Sequence, residues 1–195
     1  MPTDLKGKRI AFLVAQEGVE EVELTGPWKA VEDAGGEPVL IAPQKGEVQT
    51  FNHLDKSATY DVDVTLADAR PEDYDGVVLP GGVANPDQLR TEPDAISFLR
   101  EHFSAGKPAG VICHGPWTLV EADLVRGRRL TSWPSLQTDI RNAGGEWVDE
   151  QVVVDQGLVS SRKPDDLPAF NAKIVEEFAE GEHEVAAAGA TADRA

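Results

Sequence analysis

The segment Ala109-Gly110-Val111-Ile112-Cys113-His114-Gly115-Pro116 decides the fold, because it joins an apolar strand to the start of a helix. Residues 109–112 form a short apolar run, which is typical of a strand covered on both faces in a parallel sheet. Pro116 suits the first turn of a helix, since its fixed φ and missing N–H cost nothing there. The segment therefore predicts a strand, a sharp turn at Cys113 and a helix over about 116–124.

The same alternation of apolar runs and helical spacing continues on both sides of this segment. The buried strands that it predicts are residues 10–15, 38–42 and 75–79, and the helices are residues 20–34, 93–105, 133–143 and 165–180. Residues 44–68 are expected to leave the sheet as an excursion at one edge, and residues 152–160 to form a hairpin. This order favours an α/β fold with a doubly wound, mostly parallel sheet and helices on both faces.

Chain length and composition set the domain organisation. The 195 residues suit a single domain, which we place at residues 1–180. Residues 181–195 are acidic and rich in Ala and Gly, and they lack large apolar side chains. We therefore expect this tail to be disordered.

The net charge limits the binding partners that we expect, and the cysteine count and first residues indicate the compartment. Eighteen basic and 35 acidic side chains give a net charge of −17, so nucleic acid and anionic membranes are not expected partners. A single cysteine cannot form a disulfide within the chain, and the first residues lack an apolar signal segment, so we expect a cytoplasmic protein. With no second cysteine, no His-x-x-Glu-His spacing and no phosphate-binding glycine pattern, we expect neither a metal site nor a cofactor.

Cys113 admits two interpretations from its position. A lone cysteine after an apolar strand is often a small buried hydrophobic residue. A cysteine on a strand-to-helix turn can instead be an exposed nucleophile, as in the elbow of α/β-hydrolases, with the helix N-terminus lowering its pKa. His114 is then either a surface histidine or a general base beside the sulfur.

Two further features lie at the same rim of the predicted sheet, where the carboxyl ends of parallel strands meet. The turn Pro80-Gly81-Gly82 is either a plain tight turn or, with the backbone N–H of His114, an oxyanion hole built from Gly81 and Gly82. Glu20 lies in a run of acidic residues, which is most often the solvated start of a helix.

The chain resembles the PfpI family of intracellular proteases, within the Parkinson-associated deglycase superfamily, over about residues 8–180. The segments that carry the resemblance are Glu20-Glu21-Val22-Glu23-Leu24, Val78-Leu79-Pro80-Gly81-Gly82, Gly106-Lys107-Pro108, Ile112-Cys113-His114-Gly115-Pro116, Leu130-Thr131-Ser132, Asn142-Ala143-Gly144-Gly145-Glu146-Trp147-Val148-Asp149 and Val159-Ser160-Ser161-Arg162. The resemblance implies a flavodoxin-like three-layer α/β/α sandwich. It also implies a homodimer that builds higher oligomers.

The resemblance also implies roles for individual residues. Cys113 is the implied nucleophile, His114 the catalytic histidine, and Glu20 a protonated acid that touches the sulfur. In the family's hexameric proteases an acid from the adjacent subunit orients the histidine, and the matching position is Asp87. A tryptophan, Trp117, follows the His-Gly-Pro motif, and in this respect the chain resembles the stress-protein branch of the family. Trp117 is expected to line the substrate pocket.

These expectations lead to a cysteine hydrolase of the stress response as the first functional hypothesis. Its substrate is a glycated amine, a reactive dicarbonyl or a peptide; because Asp87 is shorter than the family's glutamate, we favour repair or detoxification over peptide cleavage. The alternative is a redox-sensing stress protein or chaperone that uses Cys113 oxidation. A glutamine amidotransferase is disfavoured, since Val111 replaces the expected glycine and His183 is the only later histidine.

Overall fold

The computed structural model of the chain describes residues 4–183. Twelve strands are found in this part of the chain: β1 (Arg9–Leu13), β2 (Glu17–Glu20), β3 (Glu37–Ala42), β4 (Glu47–Asn52), β5 (Asp55–Asp61), β6 (Val64–Thr65), β7 (Gly76–Leu79), β8 (Ala109–Ile112), β9 (Arg129–Leu130), β10 (Glu146–Trp147), β11 (Val152–Asp155) and β12 (Leu158–Ser161). Seven of them form the main sheet in the order β11-β12-β8-β7-β1-β3-β6. All neighbouring strands in this sheet are parallel except β11 and β12.

Six α-helices lie against this sheet: α1 (Glu21–Asp33), α2 (Ala84–Leu89), α3 (Pro93–Ser104), α4 (Pro116–Glu121), α5 (Gln137–Asn142) and α6 (Leu167–Glu180). Buried side chains of α1 and α6 belong to one apolar cluster, and those of α3, α4 and α5 belong to another. Successive residues of β1 alternate between the two clusters, since side chains of a strand point to opposite faces. The fold is therefore the predicted three-layer arrangement, with a core on each face of the sheet.

The structure differs from the sequence expectations in three places. Residues 17–20, expected to be a loop and helix start, form β2, which pairs with β4 beside β5 in a separate small sheet. Helix α2 follows the Pro80-Gly81-Gly82 turn, in a segment for which the sequence predicts no helix. The helix expected over 133–143 is divided into a 3₁₀ turn, Pro134–Leu136, and α5.

The β11–β12 hairpin is confirmed, and its turn explains the Gln156-Gly157 pair. These two residues have φ of 50° and 77°, which is the left-handed conformation that two-residue hairpin turns require. Beyond α6, the backbone N–H of His183 donates to the Gly106 carbonyl at 2.8 Å. The first three residues of the expected tail are thus placed, and residues 184–195 lie outside the described residues. Among residues 4–183, no helix combines the length and apolar character needed to span a bilayer.

Candidate active site

Cys113 lies at the turn between β8 and α4, where the sequence predicts it. Its φ is 61°, a left-handed conformation that costs a non-glycine residue about 1–2 kcal/mol. Backbone hydrogen bonds hold this conformation: the Cys113 N–H donates to the Ser161 carbonyl at 3.1 Å, and the Trp133 N–H donates to the Cys113 carbonyl at 2.8 Å. The residue is 7% exposed, so its sulfur lies at the floor of a cavity rather than at an open surface.

The imidazole of His114 lies directly beside the sulfur. Its Nδ1 is 3.2 Å from Cys113 Sγ, and its Nε2 is 3.4 Å from Ser135 Oγ. The ring stacks on Trp133, with a centroid distance of 5.8 Å and an angle of 22° between the rings. Burial lowers the pKa of His114 to about 4, so the imidazole is neutral near pH 7 and can accept the thiol proton.

The carboxyl group beside the sulfur belongs to Glu23. This side chain is fully buried, lies next to the Cys113 side chain beside Gly81, and accepts the Gly81 N–H at Oε2 over 2.9 Å. Burial and, to a smaller extent, the nearby Glu20 carboxylate raise its pKa to about 8. Glu23 is therefore mainly a neutral acid at pH 7.

The expectation that Glu20 touches the sulfur is corrected by this arrangement. Glu20 is half-buried at the end of β2, and its Oε2 accepts the backbone N–H of His53 at 3.0 Å. It lines the cavity without taking the place beside Cys113. Three residues further on, Glu23 lies on the face of α1 that packs against the sheet, and this face carries its carboxyl to the sulfur.

The expected lowering of the Cys113 pKa is also corrected. Burial of the sulfur and a facing Glu23 carboxylate raise the pKa of the Cys113 thiol, and the backbone N–H groups of Gly82 and His114 only partly oppose them. Burial disfavours any charge on the sulfur, and two neighbouring anions cannot both form readily. Near pH 7 the site therefore holds a thiol, an imidazole and a carboxylic acid, all uncharged.

The three expected oxyanion-hole groups are not equivalent. The Gly81 N–H is occupied by Glu23, so it is not free to bind an oxyanion. The N–H groups of Gly82 and His114 favour the anionic form of the sulfur, and the Gly82 N–H also acts on the Glu23 carboxyl. Gly82 has a φ of 82°, a conformation that glycine adopts at little cost and that turns its N–H toward the site.

An open cavity of about 820 Å³ lies above the sulfur. Trp117 and Trp133 form part of its wall, and the Trp117 ring meets His114 edge-on at 5.5 Å. The Trp117 indole N–H donates to Asp139 at 2.8 Å, which holds the ring in place. The cavity is lined by Gly18, Glu20, Glu23, Phe51, His53, Leu54, Gly82, Val83, Ala84, Asp87, Cys113, His114, Trp117, Trp133 and Pro164.

The family model described as DJ-1/PfpI matches residues 8–177, most of the chain. The chain belongs to the DJ-1/PfpI family. Protein/nucleic acid deglycase 2 of Escherichia coli is 41% identical over 165 residues, which cover 84% of this chain and 94% of that protein. A deglycase of Pyrococcus horikoshii is 42% identical over 167 residues, with coverages of 86% and 97%.

A solved structure of the same family has the same fold. Drosophila melanogaster DJ-1beta superposes with a TM-score of 0.80 at 29% identity, covering 88% of this chain and 90% of that one. These comparisons confirm both the PfpI resemblance and the flavodoxin-like α/β fold that the sequence predicts.

Asp87, which the resemblance matches to the acid that orients the histidine, makes no hydrogen bond to His114 within the described chain. It is exposed on α2 and lines the cavity. Within residues 4–183, the hydrogen-bonding partners of the His114 ring are Cys113 and Ser135. The prediction that an Asp87 carboxylate from an adjacent subunit orients His114 stays a prediction.

Glu23, Trp133 and Ser135 are site residues that sequence reasoning missed. Glu23 shares the buried face of α1 with Leu24, Pro27 and Val31. A carboxyl group on the apolar face of a helix was the available signal, since such a group is rarely buried without a partner. No comparable signal marks Trp133, because its stacking on His114 joins residues that are far apart in the chain.

Proposed function

We propose that this protein is a cysteine hydrolase that releases amines from their adducts with reactive dicarbonyl compounds. The observation that carries the proposal is the 3.2 Å contact between Cys113 Sγ and a neutral His114 imidazole at the floor of a large cavity. Two relatives named as deglycases, at 41% and 42% identity, support this choice of substrate.

The first step is attack of the sulfur on the adduct carbon that carries the amine. His114 Nδ1 takes the thiol proton as the S–C bond forms, so no free thiolate has to exist beforehand. The C–N bond breaks, and the amine leaves with its electron pair and a proton from the neutral Glu23 carboxyl. Glu23 suits this role because its Oε1 has no hydrogen-bond partner among the described residues.

The second step converts the sulfur-bound carbon to the acid level without an external oxidant. The Glu23 carboxylate removes the proton from the sulfur-bearing carbon and returns it to the neighbouring ketone carbon, while the hydroxyl proton of the first carbon moves to the ketone oxygen. The first carbon thereby becomes a thioester carbonyl and the second an alcohol. The N–H groups of Gly82 and His114 stabilise negative charge that develops beside the sulfur. Water then hydrolyses the thioester, which gives a hydroxy acid and restores the thiol.

Peptide cleavage is less well supported by the same geometry. Expelling an amide nitrogen needs a histidine that a third group orients through the catalytic cycle. In the described chain only the Ser135 hydroxyl, at 3.4 Å, occupies that side of His114. We propose a homodimer or higher oligomer from the family resemblance alone. If a neighbouring subunit supplied Asp87 to His114, peptide cleavage would be better supported.

The redox-sensing alternative is less favoured. Oxidation by peroxide follows thiolate character and exposure, whereas burial raises the pKa of the Cys113 thiol. The single buried cysteine is compatible with a reducing compartment, and we propose the cytoplasm on that ground.

A paired assay tests the proposal. N-acetylarginine and N-acetyllysine are treated with methylglyoxal, and amine release is followed with the wild type, Cys113→Ala and His114→Gln. We expect no enzymatic release with Cys113→Ala, and a loss of roughly 10²–10⁴-fold with His114→Gln. Methylglyoxal alone and a casein peptide are assayed in parallel, and they distinguish adduct hydrolysis from glyoxalase and peptidase activities.

Glu23→Gln and Glu20→Gln form a matched pair for the proposed acid. Both remove a carboxyl group from the same cavity, but only Glu23 lies beside the sulfur. Glu23→Gln is expected to reduce amine release far more than Glu20→Gln. Equal rates for the wild type and Cys113→Ala on every substrate would overturn the proposed function.

A further inference from the structure

Three side chains capable of binding a metal ion meet at the end of α6, on a side of the molecule that the active site does not use. Glu177 and Glu180 are three positions apart and so share a face of the helix. Gly181 follows with a φ of 87°, which ends the helix and turns the chain so that His183 returns to the same place. The ligand atoms of the three side chains all lie within 4.8 Å of one another.

Two of these ligand atoms are buried and lack hydrogen-bond partners. Glu177 is 8% exposed, and its Oε2 has no hydrogen bond among the described residues. His183 Nε2 is likewise buried without a hydrogen bond. The two atoms are 3.1 Å apart and form an ion pair if His183 is protonated, without the geometry of a hydrogen bond. Their separation is also close to the distance of about 3.4 Å between two ligands of a tetrahedral zinc ion.

The charges around this cluster also favour a cation. The C-terminal end of a helix carries partial negative charge, yet the last turn of α6 contains acidic residues and no basic ones. Lys8 Nζ approaches Gly181, and Lys173 is paired with Glu176. A buried carboxylate at such a helix end needs a positive partner. His183 supplies one if it is protonated, and an ion shared with the imidazole would supply one in its place.

We propose that Glu177, Glu180 and His183 form a binding site for zinc. Two carboxylate oxygens and one imidazole nitrogen supply three ligands, and water supplies the fourth on the exposed side of Glu180. Neither cysteine spacing nor a His-x-x-Glu-His motif reveals this site in the sequence, because its third ligand, His183, lies beyond the end of the helix. The backbone N–H of His183 also donates to the Gly106 carbonyl. The ion would therefore connect the end of α6 to the turn after α3.

Calorimetric zinc titration of the full chain tests the site in a Cys113→Ser background, which removes a second zinc-binding group. We expect one zinc ion per chain, and at least about tenfold weaker binding after His183→Gln or Glu180→Gln. Glu176→Gln is the matched control: it removes an equal charge one position before Glu177 but no ligand, so it should leave the affinity nearly unchanged.

Thermal unfolding and cobalt spectra give independent measurements. Zinc at a hundredfold excess over its Kd should raise Tm by about 5–10 °C, and the His183→Gln protein should lose most of this shift. Cobalt should give the intense visible absorption of a tetrahedral site in the parent and not in His183→Gln. Equal zinc affinity in the parent and His183→Gln, or no saturable binding, would overturn the proposal.

Discussion

The buried Glu23 carboxyl makes a specific prediction about how stability depends on pH. The pKa of this group rises from its ordinary value of 4.5 to about 8 in the folded chain, mainly because of burial. The unfolded chain therefore releases this proton near pH 4.5, while the folded chain holds it until about pH 8. Between these values the folded state binds more protons, so the free energy of unfolding falls as pH rises.

The size of the effect follows from the two pKa values. Below pH 4.5 Glu23 is protonated in both states and contributes nothing. Above pH 8 it is ionised in both states, and the full cost of a buried charge, at most about 5 kcal/mol, destabilises the fold. Between pH 5 and pH 8 the change amounts to about 3 kcal/mol by the same relation.

Urea unfolding of the wild type and Glu23→Gln at pH 5 and pH 8, at one protein concentration, measures this term. The glutamine oxygen can still accept the Gly81 N–H, and the amide carries no charge at either pH. The stability of Glu23→Gln relative to the wild type should therefore increase by about 3 kcal/mol from pH 5 to pH 8. Both proteins retain His102 and His114, so the titration of these histidines cancels in the difference.

Glu20→Gln is the control for this experiment, because Glu20 lies at the cavity rim and not beside the sulfur. Its stability relative to the wild type should change much less than that of Glu23→Gln over the same pH range, because the Glu20 carboxylate raises the Glu23 pKa less than burial does. If the relative stability of Glu23→Gln were equal at pH 5 and pH 8, the buried carboxyl would be ionised throughout, and the reasoning would be refuted.

Three further predictions concern single residues. Cys113→Gly should be more stable than Cys113→Ala by about 1 kcal/mol in urea unfolding, since only glycine adopts a φ of 61° without strain; equal stabilities would contradict this. Burial lowers the pKa of His102 from 6.5 to about 4, so the wild type should lose up to about 3 kcal/mol as pH falls through this range, and His102→Gln should lose less. Gly81→Ala places a methyl group against the Glu23 carboxyl and the Cys113 side chain and should cost about 1–3 kcal/mol, whereas Gly26→Ala, with ordinary contacts at 3.4 Å, should cost less.

The central sheet was predictable because its strands are short apolar runs that alternate with helical spacing. The run that ends at Ile112 places Cys113 on the sheet rim without any knowledge of side-chain positions, and the chain order of strands and helices then determines the layers. Strand β2 was not predicted from local sequence, because residues 17–20 are stabilised as a strand by pairing with β4 in the small sheet. Such pairing is a tertiary effect that overrides local preference.

The candidate site was only partly predictable, for reasons of distance and direction. His114 was found because it is adjacent to Cys113 in the chain. Choosing between Glu20 and Glu23 required knowing that Glu20 ends β2, whereas Glu23 lies on the buried face of α1. The direction of the Cys113 pKa depended on how deeply the sulfur is buried, which a sequence pattern does not report.

Trapping the covalent intermediate tests the central claim, that Cys113 is the nucleophile, most directly. The wild-type protein is mixed with a methylglyoxal adduct of N-acetylarginine, quenched in acid during turnover, and analysed by intact and peptide mass spectrometry. We expect a mass increase of one lactoyl group on the peptide that contains Cys113, and none on Cys113→Ser. Continued amine release by Cys113→Ser, or turnover of the wild type with an unmodified Cys113 peptide at every quench time, would contradict it.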